Sequence, residues 1–314
     1  MKASFNRGTG LLVLEVRNSN PNGDPDQESD PRTLDADGRG VISPPSVKRK
    51  ARDLVLANGE VMAEAREKLN DLKKYGNDFG ILEARDRNRD EIWAMDAATF
   101  QKKFWDARVF GNTFLESKSR PDAESSDENG GTKPKKKSKT AEESTKRDTS
   151  HFISTGVVQV GVGLSVAPVE IDRMTNTNKS GVEPGKDRGM APLGFRVVRH
   201  GVYYIPFFVN PSLAVSTGAT DEDIALLKFL LPHLYNHTAS AIRPFITVLH
   251  AWYGEHKNRL GSCPDSLLID ALTPRLKETG SVPSDLSGYV IPSGEEDALE
   301  AVRTRFDSIT DLCV

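Results

Sequence analysis

The order of strand and helix patterns along the chain predicts an α+β fold with an elaborated RRM-like core, the ferredoxin-like split βαβ arrangement. Strand-like stretches rich in Leu, Val and aromatic residues are separated by helical ones, in the order β, α-rich region, β, β, α, β. No internal repeat is visible in the 314 residues. One elaborated domain over 1–314 therefore fits better than two.

Each element follows from its residue pattern and its end signals. Predicted strands lie at 9–17, 155–171 and 245–253, and 194–209 is predicted to be a strand or a bent pair of strands. One predicted helix begins at Ser43-Pro44. Further predicted helices cover about 60–75, 97–110, 221–236 and 295–309. Ser43 is expected to cap the first of these helices, with Pro44 in its first turn, where a missing N–H costs nothing.

Composition excludes several classes of protein. With 42 basic and 45 acidic residues and a formal net charge of -3, the chain is not a uniformly basic nucleic-acid binder, and any polyanion site must be a local patch. Cys263 and Cys313 have no CxxC partner, so no disulfide framework is expected. No apolar run has signal-peptide or membrane-span length, so we expect a soluble cytoplasmic protein with no membrane partner.

Residues 119–150 differ in composition from the rest of the chain. They contain no Val, Ile, Leu, Met, Phe, Trp or Tyr, and they run from acidic to basic. Such a stretch cannot bury enough apolar area to offset the ordering of its backbone, which predicts a disordered charged insertion. Its lysines could contact nucleic acid, but a solvated linker is the favoured interpretation.

The segment 20–32 is rich in carboxylates and turn residues. Acidic side chains occupy every second position: Asp24, Asp26, Glu28 and Asp30. An EF-hand is excluded, because Ser29 stands where the turn needs Gly and Asp35 where a bidentate Glu is needed. A catalytic pair of carboxylates stays possible. A stiff turn is favoured, with Asn22-Gly23 supplying a left-handed conformation.

The helix after this segment has a basic surface. Its apolar stripe follows helical spacing: Val47, Ala51, Leu54 and Val55. Lys48, Arg49 and Arg52 are then expected to project together, with Lys50 on the other side and only Asp53 to offset them. Cations held on a packed helix suit phosphate contacts. A merely solvated basic face is the equally weighted alternative.

The stretch 158–166 alternates cleanly between apolar and small or polar residues. Residues predicted to face a core are Val158, Val160, Val162, Leu164 and Val166. The opposite face carries Gln159, Gly161, Gly163 and Ser165, and is bare enough for a polymer backbone to lie against it. A bend or bulge in the sheet would use the glycines equally well.

Residues 172–190 join two strands through polar, turn-rich sequence that includes Arg173, Met174 and Met190. A projecting hairpin that touches nucleic acid or a neighbouring copy fits this composition, and so does an ordinary surface loop. His233 and His237 have zinc-pair spacing, but no glutamate completes an HExxH motif, so no metal is expected. No cofactor is implied, and no ordering of residues typical of a catalytic triad stands out.

Four motifs together resemble one known family. They are NPNGDP with a following PR (20–32), SVKRKARD (46–53), FWDARVFG (104–111) and TGVVQ (155–159). These resemble the Csd/Csh branch of the CRISPR-associated family seven, the repeated backbone subunits of type I Cascade complexes. The matching motifs are spread over about 9–260.

The resemblance implies an RRM-like palm with a protruding hairpin thumb and helical insertions. It implies a filament of identical subunits that coats CRISPR RNA, with target DNA pairing to that RNA and other Cascade subunits as partners. It also implies RNA-binding roles for specific residues: Asn20, Asn22, Lys48, Arg49, Arg52, Gln159, Arg173, Met174, Met190 and Arg243. Lys48 and Arg49 would hold phosphates, and 172–190 would be the thumb.

Two other functions stay open as alternatives. Backbone subunits of type III complexes cleave RNA with a loop aspartate, so Asp24 or Asp26 could serve a guide-directed ribonuclease. A generic RRM-type binder would place aromatic residues on its central strands, yet 9–17 and 158–166 contain none. The favoured hypothesis is a non-catalytic subunit that grips the RNA backbone.

Overall fold

The computed structural model describes residues 4–69, 72, 76–116, 150–177 and 192–314. The fold is α+β, as predicted, and its main sheet has eight strands in antiparallel pairs. The predicted insertion at 119–150 lies almost wholly outside the described residues, as does 178–190 of the predicted arm. Among the described helices, none is both long and apolar enough to cross a bilayer.

The described strands and helices have the following bounds. The strands are β1 (Gly8–Ser19), β2 (Arg39–Ile42), β3 (Gly111–Glu116), β4 (Ser150–Thr155), β5 (Val158–Val160), β6 (Gly163–Pro168), β7 (Ile171–Thr177), β8 (Pro192–Val209), β9 (Phe245–His256), β10 (Arg275–Leu276), β11 (Tyr289–Val290) and β12 (Phe306–Asp311). The helices are α1 (Pro44–Ala57), α2 (Glu60–Lys68), α3 (Arg89–Trp93), α4 (Ala97–Lys103), α5 (Trp105–Phe110), α6 (Ala214–Thr217), α7 (Asp221–Leu230), α8 (Ser266–Leu272) and α9 (Asp297–Arg303).

Strand β1 lies at the centre of the main sheet, whose order is β12-β9-β1-β8-β6-β2, with β5 and β7 also paired to β8. The residues of β1 are apolar on both faces of the sheet, because a hydrophobic core packs against each face. Leu12 and Leu14 pack into the larger core under α1, α2, α5 and α7. Leu11 and Val13 pack into a second core with residues of α8 and α9.

The C-terminal prediction is wrong. The helix expected at 295–309 is the short α9, and Phe306–Asp311 is an edge strand paired with β9. Phe306 is buried in the second core, and the Asp311 carboxylate accepts a hydrogen bond from Ala251 N–H at 3.0 Å. Pairing to a sheet edge therefore overrides the local helical pattern.

Three other predicted elements are shorter or broken. The helix at 60–75 ends at Lys68. The helix at 97–110 is interrupted at Phe104, which separates α4 from α5. The helix at 221–236 ends at Leu230, and Pro232 follows in a 3-10 turn because proline cannot continue the α-helical bonding.

The predicted strand at 155–171 divides into the end of β4, then β5, β6 and the start of β7. The alternation reverses between β5 and β6: Val162 is 49% exposed, whereas Ser165 is fully buried. The bare face predicted for this stretch is therefore wrong beyond Gly161. The Ser165 hydroxyl accepts a hydrogen bond from Gly40 N–H at 2.7 Å, so β2 covers that position.

Candidate nucleic-acid interface

Helix α1 begins where the sequence predicts, after Ser43 and with Pro44 in its first turn. The Ser43 side chain makes no capping hydrogen bond. Its backbone N–H instead donates to Asn22 Oδ1 at 2.7 Å, which ties the start of the helix to the loop after β1. The predicted apolar stripe is buried in the larger core, so the orientation of α1 is set by packing.

Arg52 anchors α1 to the neighbouring helical region. Its Nε donates to the Asp106 carboxylate at 2.8 Å, and both side chains are largely buried. The same carboxylate accepts from the N–H groups of Leu82 at 2.7 Å and Glu83 at 3.2 Å. The prediction that Arg52 projects together with Lys48 and Arg49 is therefore wrong, because Arg52 pairs with Asp106 inside the fold.

Lys50 lies on the other side of α1, as predicted, and is buried. Its ammonium donates to the carbonyl of Thr238 at 3.1 Å and lies 6.0 Å from the centre of the Tyr235 ring. Burial lowers the pKa of Lys50, and the nearby Arg243 guanidinium lowers it further. Lys50 and Arg52 thus fix α1 from two sides.

Lys48 and Arg49 occupy the remaining surface of the helix. Arg49 pairs with Asp53 at 2.6 Å and donates to the Glu83 carbonyl at 3.0 Å. The half-buried Lys48 ammonium lies 5.6 Å from the centre of the Phe110 ring. Burial lowers its pKa, and repulsion by Arg52 adds to this. Within the described residues Lys48 has no carboxylate partner, so its charge is available to an anion.

Three predicted residues meet where β1 ends. Asn20 is buried: its N–H donates to the Ile242 carbonyl at 2.7 Å, and its carbonyl accepts from Arg243 Nε at 2.9 Å. Its side-chain amide donates to the Ser29 carbonyl at 2.8 Å. Asn20, Asn22 and Arg243 therefore organise the backbone around the loop at 20–32.

The stretch from Asp24 to Asp30, here called the acidic loop, is a rigid turn. Pro25–Gln27 forms a 3-10 turn capped by the Asp24 carboxylate, which accepts from Asp26 N–H at 3.1 Å. The left-handed residues are Glu28 and Ser29, with φ of 49° and 67°. The prediction that Asn22-Gly23 supplies this conformation is wrong, because the chain reverses further along.

Two arginines, Arg173 from the predicted arm and Arg196 from β8, neutralise the acidic loop. β7 pairs with β8 in a register that places Arg173 directly opposite Arg196, and Ile171–Thr177 with 192–198 is here called the arm stem. Asp30 accepts from Arg173 Nη2 at 2.6 Å and Arg196 Nη1 at 3.0 Å. Arg196 also pairs with Glu28. Hydrogen bonding to Arg173, with its charge and that of Arg196, lowers the pKa of Asp30 despite its burial.

The other predicted arm residues divide between described and undescribed positions. Met174 is exposed on the stem. Met190 lies outside the described residues. Sequence analysis missed Arg196, although it stands on β8, opposite the arginine that was singled out. An antiparallel register drawn across the expected hairpin would have found it.

Gln159 is not brought together with the other predicted residues. It is exposed on β5, and its amide donates to the Gly156 carbonyl at 3.0 Å. Its partner on β8 is Phe208, which pairs with Thr9 at the start of β1. Asn20 follows the other end of β1, roughly 35 Å from Thr9 at the usual rise per strand residue.

No cluster of three or more His, Cys, Asp or Glu side chains suited to a metal occurs in the described part of the chain. The two histidines of the zinc-like spacing contact each other edge to face, with 5.7 Å between the ring centres of His233 and His237. His233 also contacts the Phe229 ring, with 5.3 Å between ring centres. Burial lowers the pKa of His233, and the neighbouring His237 lowers it further.

Comparison with known proteins identifies a family. The model of the family described as CRISPR-associated protein Cas7 matches residues 6–293. Among curated proteins, none matches the sequence.

Two of the solved structures that resemble this chain show a low level of similarity to it. A chain of a "CRISPR RNA-guided surveillance complex, pre-nicking" has 13% identity and a TM-score of 0.43, covering 81% of this chain and 79% of that chain. A chain of a "CRISPR RNA-guided surveillance complex" has 14% identity and a TM-score of 0.37, covering 79% and 69%. Both TM-scores are low, so the family match alone supports the assignment.

Proposed function

The chain belongs to the Cas7 family of CRISPR-associated proteins, and we propose that it is a non-catalytic backbone subunit of a type I CRISPR surveillance complex, of the Csd/Csh branch. Copies of the chain would assemble along CRISPR RNA in the cytoplasm, hold its phosphates and leave its bases free to pair with target DNA. Other Cascade subunits would be its protein partners. The family match over 6–293 is the observation that carries the proposal.

The geometry of α1 supports phosphate binding. Lys50 and Arg52 hold the helix through contacts inside the fold, while Lys48 keeps a charge without a carboxylate partner in the described residues. A fixed cation loses little entropy when it meets a phosphate, and phosphate contacts position RNA without reading its sequence. Arg49 can exchange its surface partner Asp53 for a phosphate, because exposed ion pairs are weak.

We also propose that the core is RRM-like and that the arm is the thumb of the family. Supporting the first point, β9, β1, β8 and β6 lie side by side in antiparallel pairs, with α1 and α7 in the connections, which is the order of a split βαβ core. Supporting the second, the two strands of the arm stem, β7 and the first part of β8, pair antiparallel on either side of 178–191.

The alternative of a loop-aspartate ribonuclease has less support. Asp24 caps the turn in its own loop and lies 3.5 Å from the Arg32 guanidinium, and these uses favour a structural part. The test is direct: cleavage of guide-paired RNA by the wild-type complex, lost in Asp24→Ala or Asp26→Ala, would establish the ribonuclease. Absence of cleavage by the wild-type complex would exclude it.

The central experiment is purification of the complex from cells that carry a CRISPR array and the partner subunits. Wild type is compared with Lys48→Ala/Arg49→Ala, which removes two positive charges from α1. The matched control is Arg275→Ala/Lys277→Ala, which removes two exposed charges beside the second core.

Wild type and control should retain discrete guide-length RNA, and the α1 variant should retain roughly tenfold less, as expected for the loss of two charge-assisted phosphate contacts. RNA retention should also fall steeply with added salt. Equal RNA in all three proteins would remove α1 from the interface. No RNA on the wild type in the presence of its partners would reject the proposed function.

A further inference from the structure

We infer that the acidic loop is a brace, with Asp30 as the positioning residue that fixes the arm stem relative to helix α1. The structural part of this inference stands on contacts within the chain. Its consequence for RNA rests on the proposed function.

The arm stem needs a carboxylate at this position. Arg173 and Arg196 are direct cross-strand partners, and like charges in such pairs destabilise a hairpin. Asp30 accepts hydrogen bonds from both, at 2.6 and 3.0 Å, and is itself only 7% exposed. One nearly buried carboxylate therefore removes the repulsion and binds both strands of the stem at once.

The loop that carries Asp30 is itself held rigidly. Asp24 N–H donates to the Asp30 carbonyl at 2.7 Å, and Asp30 N–H donates to the Gln27 carbonyl at 2.8 Å. From outside the loop, the Asn20 amide donates to the Ser29 carbonyl at 2.8 Å. Because these hydrogen bonds close the loop on itself, the contact with Asn20 also fixes the position of Asp30.

The other end of the same segment is bound to α1, through the Asn22 carboxamide and the N–H of Ser43. A continuous series of contacts therefore leads from the start of the basic helix, through Asn22 and the acidic loop, to the two arginines of the stem. Asp30 is the point at which this series reaches the arm. Hydrogen bonds and the positive charges of Arg173 and Arg196 lower the pKa of Asp30, so pairing favours its ionised form.

In a subunit that coats RNA, the brace would set the angle between the phosphate contacts of α1 and the arm stem. Loss of Asp30 should then change where the arm stem lies along the RNA, while Lys48 and Arg49 still bind phosphate. The expected defect is an irregular arrangement of the subunits along the RNA, while the amount of bound RNA stays nearly the same.

A different reading of the same contacts is that the carboxylates screen Arg173 and Arg196 from RNA phosphates. The side chain of Arg173 is 62% exposed, so an anion could reach it. The near-complete burial of Asp30 favours the brace, because a carboxylate that yields its place to RNA would need access to solvent. The two readings predict opposite changes in RNA affinity, which makes them separable.

The first test is amide hydrogen exchange on the full chain, comparing Asp30→Asn with Glu28→Gln. Both variants remove one charge from the acidic loop, but the Glu28 side chain is 81% exposed and, among the described residues, its ion pair is with Arg196. In Asp30→Asn, exchange in Ile171–Thr177 and 192–198 should rise about tenfold or more, with α1 unchanged. Glu28→Gln should resemble the wild type. Unchanged exchange of the stem in Asp30→Asn overturns the brace.

A rescue separates positioning from general loss of structure. Asp30→Glu keeps the charge and should restore most of the protection of the arm stem, whereas Asp30→Asn has nearly the same volume and should not. If both variants lose protection and also melt at the same lowered temperature, the residue is merely structural and the inference fails.

The second test is nuclease protection of RNA in the assembled complex. The wild-type complex should give a regularly spaced pattern of protected and cleaved RNA positions. The Asp30→Asn complex should retain an amount of RNA within about twofold of wild type, but its cleavage pattern should lose the regular spacing. Tighter RNA binding by Asp30→Asn would support screening and overturn the brace. If the wild type carries no RNA, the proposed function fails, and the exchange experiment still decides whether Asp30 positions the stem.

Discussion

Two of the sites at which an arginine pairs with a carboxylate from a distant part of the chain differ in burial. Arg108 and Asp223 are 1% and 0% exposed and form a two-point pair at 2.8 and 2.9 Å between α5 and α7. The Arg173, Arg196 and Asp30 site at the arm stem has similar distances but leaves Arg173 largely exposed.

The difference lies in what else the guanidinium does. Arg108 also donates to the carbonyls of Asp78, Gln101 and Lys102, each within 2.8 Å, so its donors are consumed inside the fold. Such a site stabilises a core and has nothing to offer a ligand. The arm-stem site keeps donors near solvent, which suits an element whose orientation matters more than its contribution to stability.

The largest expected effect is at the buried site. Asp223→Ala leaves the Arg108 charge unpaired and removes the Asp223 carboxylate from Thr220 N–H, so the free energy of unfolding should fall by about 3–5 kcal/mol. Urea unfolding measures this. The matched control is Asp37→Ala, which breaks the exposed pair with Arg39 and should change the free energy of unfolding far less. Equal losses would mean that burial does not distinguish the two kinds of site.

An intermediate effect is expected at the arm stem. Asp30→Asn should lower the free energy of unfolding by about 1 kcal/mol, because its partners are partly solvated. Raising the salt concentration to about 1 M shortens the screening length to roughly 3 Å and should shrink this difference. The loss in Asp223→Ala should change little with salt. A salt-independent loss for Asp30→Asn would place it with the buried site.

The smallest effect concerns Lys48. Because the folded protein binds this proton less tightly than the unfolded chain, the charge costs stability at neutral pH. Stability should rise with pH from the lowered pKa of folded Lys48 up to the reference value of 10.5, as that cost disappears. Lys48→Met should therefore gain a few tenths of a kcal/mol near pH 7, discounted for partial exposure, and the gain should vanish above that range.

Lys68→Met provides the opposite sign as a control. Its hydrogen bond to Glu64 raises the pKa of Lys68, so the native pair stabilises the fold below the reference pKa, and that contribution is lost as pH rises through the raised value. Thermal melting of both variants between pH 7 and 11 measures the two trends. A loss of stability in Lys48→Met at neutral pH would contradict the interpretation of Lys48 as an uncompensated charge.

Local pattern was sufficient for the elements with strong periodicity. The strand at 9–17, the start of α1 with its apolar stripe, the long strand at 194–209 and the strand at 245–253 are confirmed. In these segments the residue pattern and the buried faces agree, so tertiary contacts reinforce the local preference.

Pattern failed where a distant partner decided the outcome. Phe306–Asp311 becomes a strand because β9 offers it an edge, and Arg52 turns inward because Asp106 is there to meet it. The alternation at 158–166 is clean in sequence, yet the sheet breaks it between β5 and β6. A single period cannot anticipate such a break.

The sequence by itself determined the α+β class, the apolar faces of the main elements and the basic character of helix α1, because these depend on residues close together in the chain. Only the tertiary structure decided which cations keep their charge for a ligand: Lys50 and Arg52 are used inside, and Lys48 is not. It also decided that Asp30 meets Arg173 and Arg196. Electrostatic partners are chosen by distance in space, and the fold sets that distance.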